Sequence, residues 1–511
     1  MSRVNFNDGK ITQDILRTAF PMLIAQILNL LYSIIDRVYI GRIPDVGTEA
    51  LGAVGLCFPI IILITGFTNM FGLGGSPIFS MALGRGDKKE AAEVENTAFR
   101  LLIVTALTIT IIGELFGGPL LRLFGATGAE LPMSLSYLRI YLIGTIFIML
   151  ATGMNAYINA QGYSVDGMIS VTIGAAANLI LDPIFIFAFG MGVQGAAAAT
   201  VISQLLSVLY VLRFLFGNPF RRRSKTVSLR TSVPAAPEQT AADRTGPGSE
   251  NTGTVLKDPE GLRAASAAGI PGPGARKNEF PITFAFSFPH AKEIISLGTA
   301  PFIMQCTNSL VSIACNNVLM SVGGSLYVSV YTIVSSVRSI LDTPVMAITE
   351  GASPVLSFNY GARRPANVRK GIKVMLALTL PYTFVVWLLV MFVPEFFVRI
   401  FSSDAEIMAD ASRALHLYFF AFIFQSFQYA GQTVFKALGF KMHAIFFSLF
   451  RKVVLVVPLT FALPYLFGMG TDGVFIAEPV SNVIGGMACF ITMLLTILPV
   501  LRRMEDGNPA A

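Results

Sequence analysis

"SPIFSMALG" at residues 76–84 returns as "SPVLSFNYG" at 353–361, an offset of 277. The same offset lays "RLFG" (122–125) on "RIFS" (399–402), Tyr141 on Tyr418, Phe147 on Phe424 and Gly162 on Gly439. "GMGVQG" (190–195) then matches "GMGTDG" (468–473) at an offset of 278. A register held over about 120 residues marks an internal duplication. The repeating unit is a set of membrane helices. The chain is 54% hydrophobic and 13% charged, with a mean hydropathy of +0.67, about half the charge of a soluble domain. Apolar runs of about twenty residues recur from end to end, enough to cross a ~30 Å hydrocarbon core. The short alternating segments of a β-barrel are absent.

Twelve spans are expected, near 15–40, 50–80, 95–119, 133–158, 165–190, 194–216, 293–320, 326–357, 370–394, 411–436, 442–467 and 473–499. Each copy has an even number of spans, so the copies share one orientation and are related by a pseudo-twofold axis along the membrane normal. The fold class is therefore an all-α polytopic membrane protein with two six-helix lobes around a central cavity. The N-lobe occupies 1–216, a linker 217–292, the C-lobe 293–500 and a tail 501–511. The second and eighth spans exceed a bilayer, and Pro59, Pro77, Pro344 and Pro354 are available to bend them.

Lys and Arg gather in the even-numbered connections, as in "GRGDKKEA" (84–91) and "GARRPANVRK" (361–370). Both termini are thus expected in the cytoplasm of a multi-pass protein of the inner (plasma) membrane. The linker carries eleven Lys and Arg against six Asp and Glu, with few large apolar residues. It reads as a flexible tether drawn to the anionic inner leaflet and its lipids.

Several function classes drop out. The net charge of +7 sits in loops and serves topology, so no nucleic-acid partner is expected. The polar start "MSRVNFNDGKITQDIL" does not read as a cleavable signal. "GMGVQG" fits a dinucleotide fingerprint, but it joins membrane helices rather than a strand and a helix. Cys57, Cys306, Cys315 and Cys489 have no metal spacing, and His290, His416 and His443 form no relay. No nucleophile, base or metal constellation suggests an enzyme, and no cofactor is expected. Without a nucleotide motif, transport must run on an ion gradient or downhill.

Intramembrane charge is costly and points to function. Asp36 lies about 5 residues before Gly41 and Asp182 about 8 before Gly190, roughly 8 and 12 Å from their helix ends. Asn178 is one turn before Asp182 on the same face, and Pro183 cannot donate to the carbonyl of Leu179. Thr200, Tyr137 and Tyr141 would complete a polar pocket, the tyrosines bordering a substrate cavity. Burial disfavours a bare carboxylate, so the site would take a proton or hold Na⁺ on Asp36, Asn178 and Asp182. The alternative for Asp182 is a brace for a proline kink. At the 277 offset, however, Asp182 falls on Leu459 and Asn178 on Leu455, so the duplicated scaffold does not require them. In the second half, Arg338 and Asp342 stand at i, i+4 and would neutralise each other. Glu350 lies near mid-membrane, where it could receive a cationic substrate, and Lys436 is in the tenth span.

The continuous pattern "AFPMLIAQILNLLYSIIDRVYIGRIPDVGTEALGAVG" (19–55), "GSPIFSMALGRGDKKEA" (75–91), "NAYINAQG" (155–162) and "NLILDPIFI" (178–186) resembles the multidrug and toxic compound extrusion (MATE) transporters. It is most similar to the bacterial branch of DinF-like and MepA-like exporters. The resemblance covers nearly the whole chain outside the linker. It implies alternating access and export of organic cations against H⁺ or Na⁺. It also implies an N-lobe cation site of Asp36, Asn178, Asp182, Thr200 and Asn155, with Pro21 as the bending point of the first span. The NorM-like branch has acids in its seventh and tenth spans; here both lack them, so coupling is expected to rest on the N-lobe. A lipid-linked precursor flippase of the same superfamily is the second reading, and the fold needs no partner subunit.

Overall fold

The computed structural model describes residues 3–44, 46–126, 130–216, 286–401 and 404–506, without the side chains of Thr48 and Phe216. The expected linker lies outside these residues except for its last few, where the chain enters a helix at Phe288. Among the described residues the structure is all-helical.

Six spans form the first half: α1 (Ile11–Gly41), α2 (Gly47–Arg85), α3 (Lys88–Leu123), α4 (Glu130–Ala160), α5 (Ser164–Pro183) and α6 (Val193–Phe216). The second half opens with one helical stretch, Phe288–Gly361, of 74 residues. Straight, it would be roughly 110 Å long, far more than a bilayer. Gly324, at φ 74° and ψ −168°, turns it back on itself. Only glycine reaches that backbone region without steric cost. Two spans result, α7 (288–323) and α8 (325–361). Pro59 and Pro77 sit inside α2, and Pro344 and Pro354 inside α8, without interrupting either.

Next come α9 (Pro365–Phe392), the short α10 (Pro394–Arg399), α11 (Ala405–Phe419) and α12 (Ile423–Ala437), the last two forming one span bent by 50°. The eleventh span is α13 (Lys441–Leu449) and α14 (Val457–Tyr465) joined by a π-helical stretch, Phe450–Val456. The twelfth is α15 (Gly470–Ser481) and α16 (Met487–Glu505), joined by another, Asn482–Gly486. Ten of these helices or joined stretches are each long and apolar enough to cross a membrane, and the bent pair makes eleven. Dividing the 74-residue stretch at Gly324 gives twelve. The duplication is visible in the backbone: Gly190 and Gly192 have φ of 65° and 56°, their counterparts Gly468 and Gly470 66° and 57°.

The halves exchange their beginnings. Helix α1 starts at Ile11 and α7 at Phe288, 277 residues apart. Ile11 and Ile15 bury themselves in a core built from α8, α9, α12 and α16 of the second lobe. Ile294 and Leu297 of α7 enter the core of the first. One end of the molecule, the terminal face, gathers both ends of the described chain: Arg364 donates to the Asn7 carbonyl at 3.1 Å, and Arg369 pairs with Glu505 at 3.0 Å. Interlobe hydrogen bonds among the described residues lie on this side. Ser287 N donates to Thr97 Oγ1 (3.2 Å), Thr18 Oγ1 to the Gly351 carbonyl (2.7 Å), and deepest, Gln26 Nε2 to Glu350 Oε2 (2.8 Å). The lobes are thus joined at one end.

One close contact between the lobes is symmetric. A Cβ on Gly84 would stand 2.0 Å from the Phe358 carbonyl oxygen, and one on Gly361 2.1 Å from that of Met81. Residues 84 and 361, like 81 and 358, are equivalent in the repeat. Overpacking of this kind costs about 1–3 kcal/mol. Gly361→Val is expected to populate forms open at the terminal face. With Cys57, Cys306, Cys315 and Cys489 replaced, a single cysteine at the fully buried Ser357 should then label at least about tenfold faster with a maleimide. An unchanged labelling rate would show that the glycine contact does not hold the face shut.

Candidate functional site

Proline shapes the local backbone at the N-lobe acids. Pro183 ends the α pitch of α5 because it brings no N–H, and the next five residues, Ile184–Ala188, take the wider π pitch. Asp182 sits on the last α turn, fully buried. Asn178 Nδ2 donates to Asp182 Oδ1 at 3.1 Å and reaches Thr200 Oγ1 of α6 at 3.5 Å. Across from them, the carboxyl of Asp36 on α1 comes within hydrogen-bonding reach of Asp182. Arg37, the neighbouring cation, stacks over the Phe58 ring at 5.0 Å and pairs with neither acid. Three buried oxygens here have no hydrogen-bond partner: Asp36 Oδ1, Asn178 Oδ1 and Asp182 Oδ2. Asp182 Oδ1 is held by Asn178, and its Oδ2 is left without a hydrogen-bond partner. Tyr32 of α1, which the sequence reading missed, stands over the pair within electrostatic reach of both acids.

The structure thus brings Asp36, Asn178, Asp182 and Thr200 together, and leaves Asn155 out. Asn155 Nδ2 donates to the Gly167 carbonyl (2.8 Å) and to Ser170 Oγ (2.7 Å), tying α4 to the beginning of α5. Ser170 precedes Asp182 by twelve residues, roughly 18 Å along the helix. Tyr137 is also placed differently. It is buried behind Tyr141, stacked on it at 5.9 Å between ring centres, and only Tyr141 borders the cavity. Pro21 lies within an unbroken α1.

The cavity itself holds about 430 Å³ and is walled by both lobes, a size that suits a small organic molecule. Tyr32, Tyr141 and Thr200 connect it to the acid pair; Asn155 lines its other end. Its floor carries the repeat: Ser76 and Pro77 of α2 face Ser353 and Pro354 of α8, all four lining the space. Glu350 and Lys436 are the charged residues that line it.

A second polar centre in the C-lobe escaped the sequence reading. Arg338 and Asp342 do pair, at 3.2 Å, but Arg338 also contacts Glu478 at 2.7 Å and bonds Tyr418 and Gln425. Glu478, 3% exposed, is shared with Arg451 at 2.8 Å and Lys452 at 3.1 Å. The two basic residues ride on the π-helical stretch Phe450–Val456. Glu478 is the repeat counterpart of Thr200, and Tyr418 that of Tyr141. The N-lobe acid site and this network thus occupy matched places. The sequence signal was present, since three ionisable residues interrupt the eleventh and twelfth spans.

Comparison with known proteins places this geometry in a lineage. The MatE family model matches residues 21–184 and 301–462, one segment in each lobe. The chain is 22% identical over 472 residues to the multidrug export protein MepA of Staphylococcus haemolyticus, covering 91% of this chain and 89% of that one. The crystal structure of a MATE protein in complex with MaL6 superposes with a TM-score of 0.82 at 21% identity, over 98% of this chain and 100% of the other. An outward-facing multidrug resistance MATE family transporter of the MOP superfamily gives 0.79 at 22% identity, over 96% of each. The two-lobe, twelve-helix architecture is shared. The protein is a multi-pass membrane transporter, not an enzyme, and belongs to the MatE family.

Proposed function

We propose that the protein is a secondary antiporter that exports organic cations in exchange for H⁺ or Na⁺ by alternating access, with both termini in the cytoplasm. The observation that carries this is the Asp36–Asp182 pair beside an interlobe cavity. Two carboxyl groups this close in a dry surround demand a proton or a metal cation between them. The orphaned oxygens of Asp36, Asn178 and Asp182 suit either, being hard acceptors of the kind that small hard cations prefer. Tyr32 and Thr200 border both the pair and the cavity, so filling one site can repack the wall of the other. With the terminal face closed, the cavity would release its guest outward; the related export proteins support that direction. A flippase for lipid-linked precursors would call for several basic residues in the cavity, and among the described residues Lys436 is the one that lines it.

Everted membrane vesicles from cells expressing the protein test the reading. Ethidium should accumulate in the lumen when a proton or a sodium gradient, outward from the lumen, is imposed, and the effective gradient names the ion. Accumulation equal to that of vesicles without the protein, under both gradients, would refute it.

A further inference from the structure

A pocket of about 610 Å³, separate from the interlobe cavity, opens on the first lobe between the terminal-face ends of α1 and α5. Leu16, Arg17 and Phe20 of α1 form one wall, and Ser164 and Asp166, in the first turn of α5, form the other. Arg17 is exposed and, among the described residues, makes no hydrogen bond or ion pair, although a guanidinium has five donors to satisfy. The buried Asp14, one turn before it, is within electrostatic reach but does not pair with it.

Opposite Arg17 stands an orphaned donor. Ser164 is 2% exposed, and its hydroxyl has no hydrogen-bond partner. It opens a 20-residue helix whose cap, Tyr163, offers no side-chain acceptor to the first amides. The positive end of such a helix favours an anion. Arg3 brings a second guanidinium near the rim, 5.5 Å from the centre of the Tyr163 ring. Asp166 is the acid in the wall, and its carboxylate accepts from the Tyr210 hydroxyl at 2.9 Å, which engages it from the α6 side. Below these polar groups Leu16 and Phe20 are exposed, 47% and 64%, on the membrane flank of α1. Arg17 lies six residues into α1, roughly 9 Å from its start, the depth of the boundary between headgroups and acyl chains.

We propose that this pocket binds the phosphate of an anionic phospholipid from the leaflet at the terminal face. Arg17, the Ser164 hydroxyl and the first amides of α5 hold the headgroup, and the acyl chains run along Leu16 and Phe20. A free phosphate would leave that apolar flank uncovered, whereas a lipid fills both parts. The bound headgroup ties α1 to α5, the two helices that carry Asp36 and Asp182. The site stands apart from the choice of coupling ion and exported compound.

The test uses the full chain, purified in detergent, and a phosphatidylglycerol with a fluorescent dye on one acyl chain, its binding read by polarisation. Unlabelled phosphatidylglycerol should displace the probe more readily than phosphatidylcholine, and inorganic phosphate at the same concentration should not displace it. Arg17→Gln should weaken the probe about tenfold, the worth of one charge-assisted bond. Ser164→Ala, which is nearly isosteric and leaves the net charge unchanged, should weaken it about fivefold. Displacement by phosphatidylcholine or by inorganic phosphate as effective as by phosphatidylglycerol overturns the proposal. So does an affinity unmoved by Ser164→Ala, because loss with Arg17→Gln alone would mark general attraction to basic residues.

Discussion

Asp182→Asn is expected to abolish drug resistance in a sensitive host while leaving the protein folded and in the membrane. The substitution is nearly isosteric and keeps an oxygen to accept from Asn178, which lies 3.1 Å away. What it removes is the charge. With one carboxylate instead of two, the site loses a charged ligand worth up to about 3 kcal/mol, or about 150-fold in ion affinity. Dye binding in the cavity should survive, because Asp182 itself does not line it. Growth inhibition by ethidium measures the loss: the mutant should match cells carrying no transporter. Resistance equal to that of the native protein, at equal expression, would refute a coupling role for Asp182.

The second large effect is on stability. Glu478 is the only carboxylate that contacts Arg451 and Lys452 among the described residues, and it also holds Arg338. Glu478→Gln leaves three cations facing a single buried acid, Asp342. Removing one partner from a buried ionic group costs about 3–5 kcal/mol, mostly from the charges left behind. The purified variant should therefore melt well below the native protein in detergent. Adding Lys452→Met should recover part of the loss, since it removes one of the stranded charges. A melting temperature unchanged by Glu478→Gln would show that the network tolerates the imbalance.

Asp182 was legible because depth and helical face can be counted along one helix: Asn178 one turn earlier, Pro183 one residue later. The twelve spans and the duplication were legible for the same reason, as periodic features of a single strand of text. Neighbours across helices were not. Asn155 is polar and in the correct span, yet it faces Gly167 and Ser170, because the crossing of α4 and α5 decides its level. Arg338 and Asp342 suggested a closed pair, and the structure opens it to Glu478, 136 residues further on. Tyr137 and Tyr141 are one turn apart, but their stacking places only one of them at the cavity wall. Local spacing constrains position along one helix axis, whereas the crossing and rotation of its neighbours are set by packing.

The exchanged beginnings of α1 and α7 carry a consequence for how such a chain arose. Ile11 and Ile15 complete the second lobe's core, and Ile294 and Leu297 complete the first's. Neither six-helix half can close its own interior, so a lone half would need a second copy to supply the missing plug. Two identical copies doing so would form a swapped dimer with true twofold symmetry. The present chain reads as that dimer made covalent. The copies have since diverged: Asp182 stands in one lobe, and Glu350, Lys436 and Glu478 in the other. A covalently joined pair is free to carry different charges on its two sides, which a swapped dimer of identical copies is not.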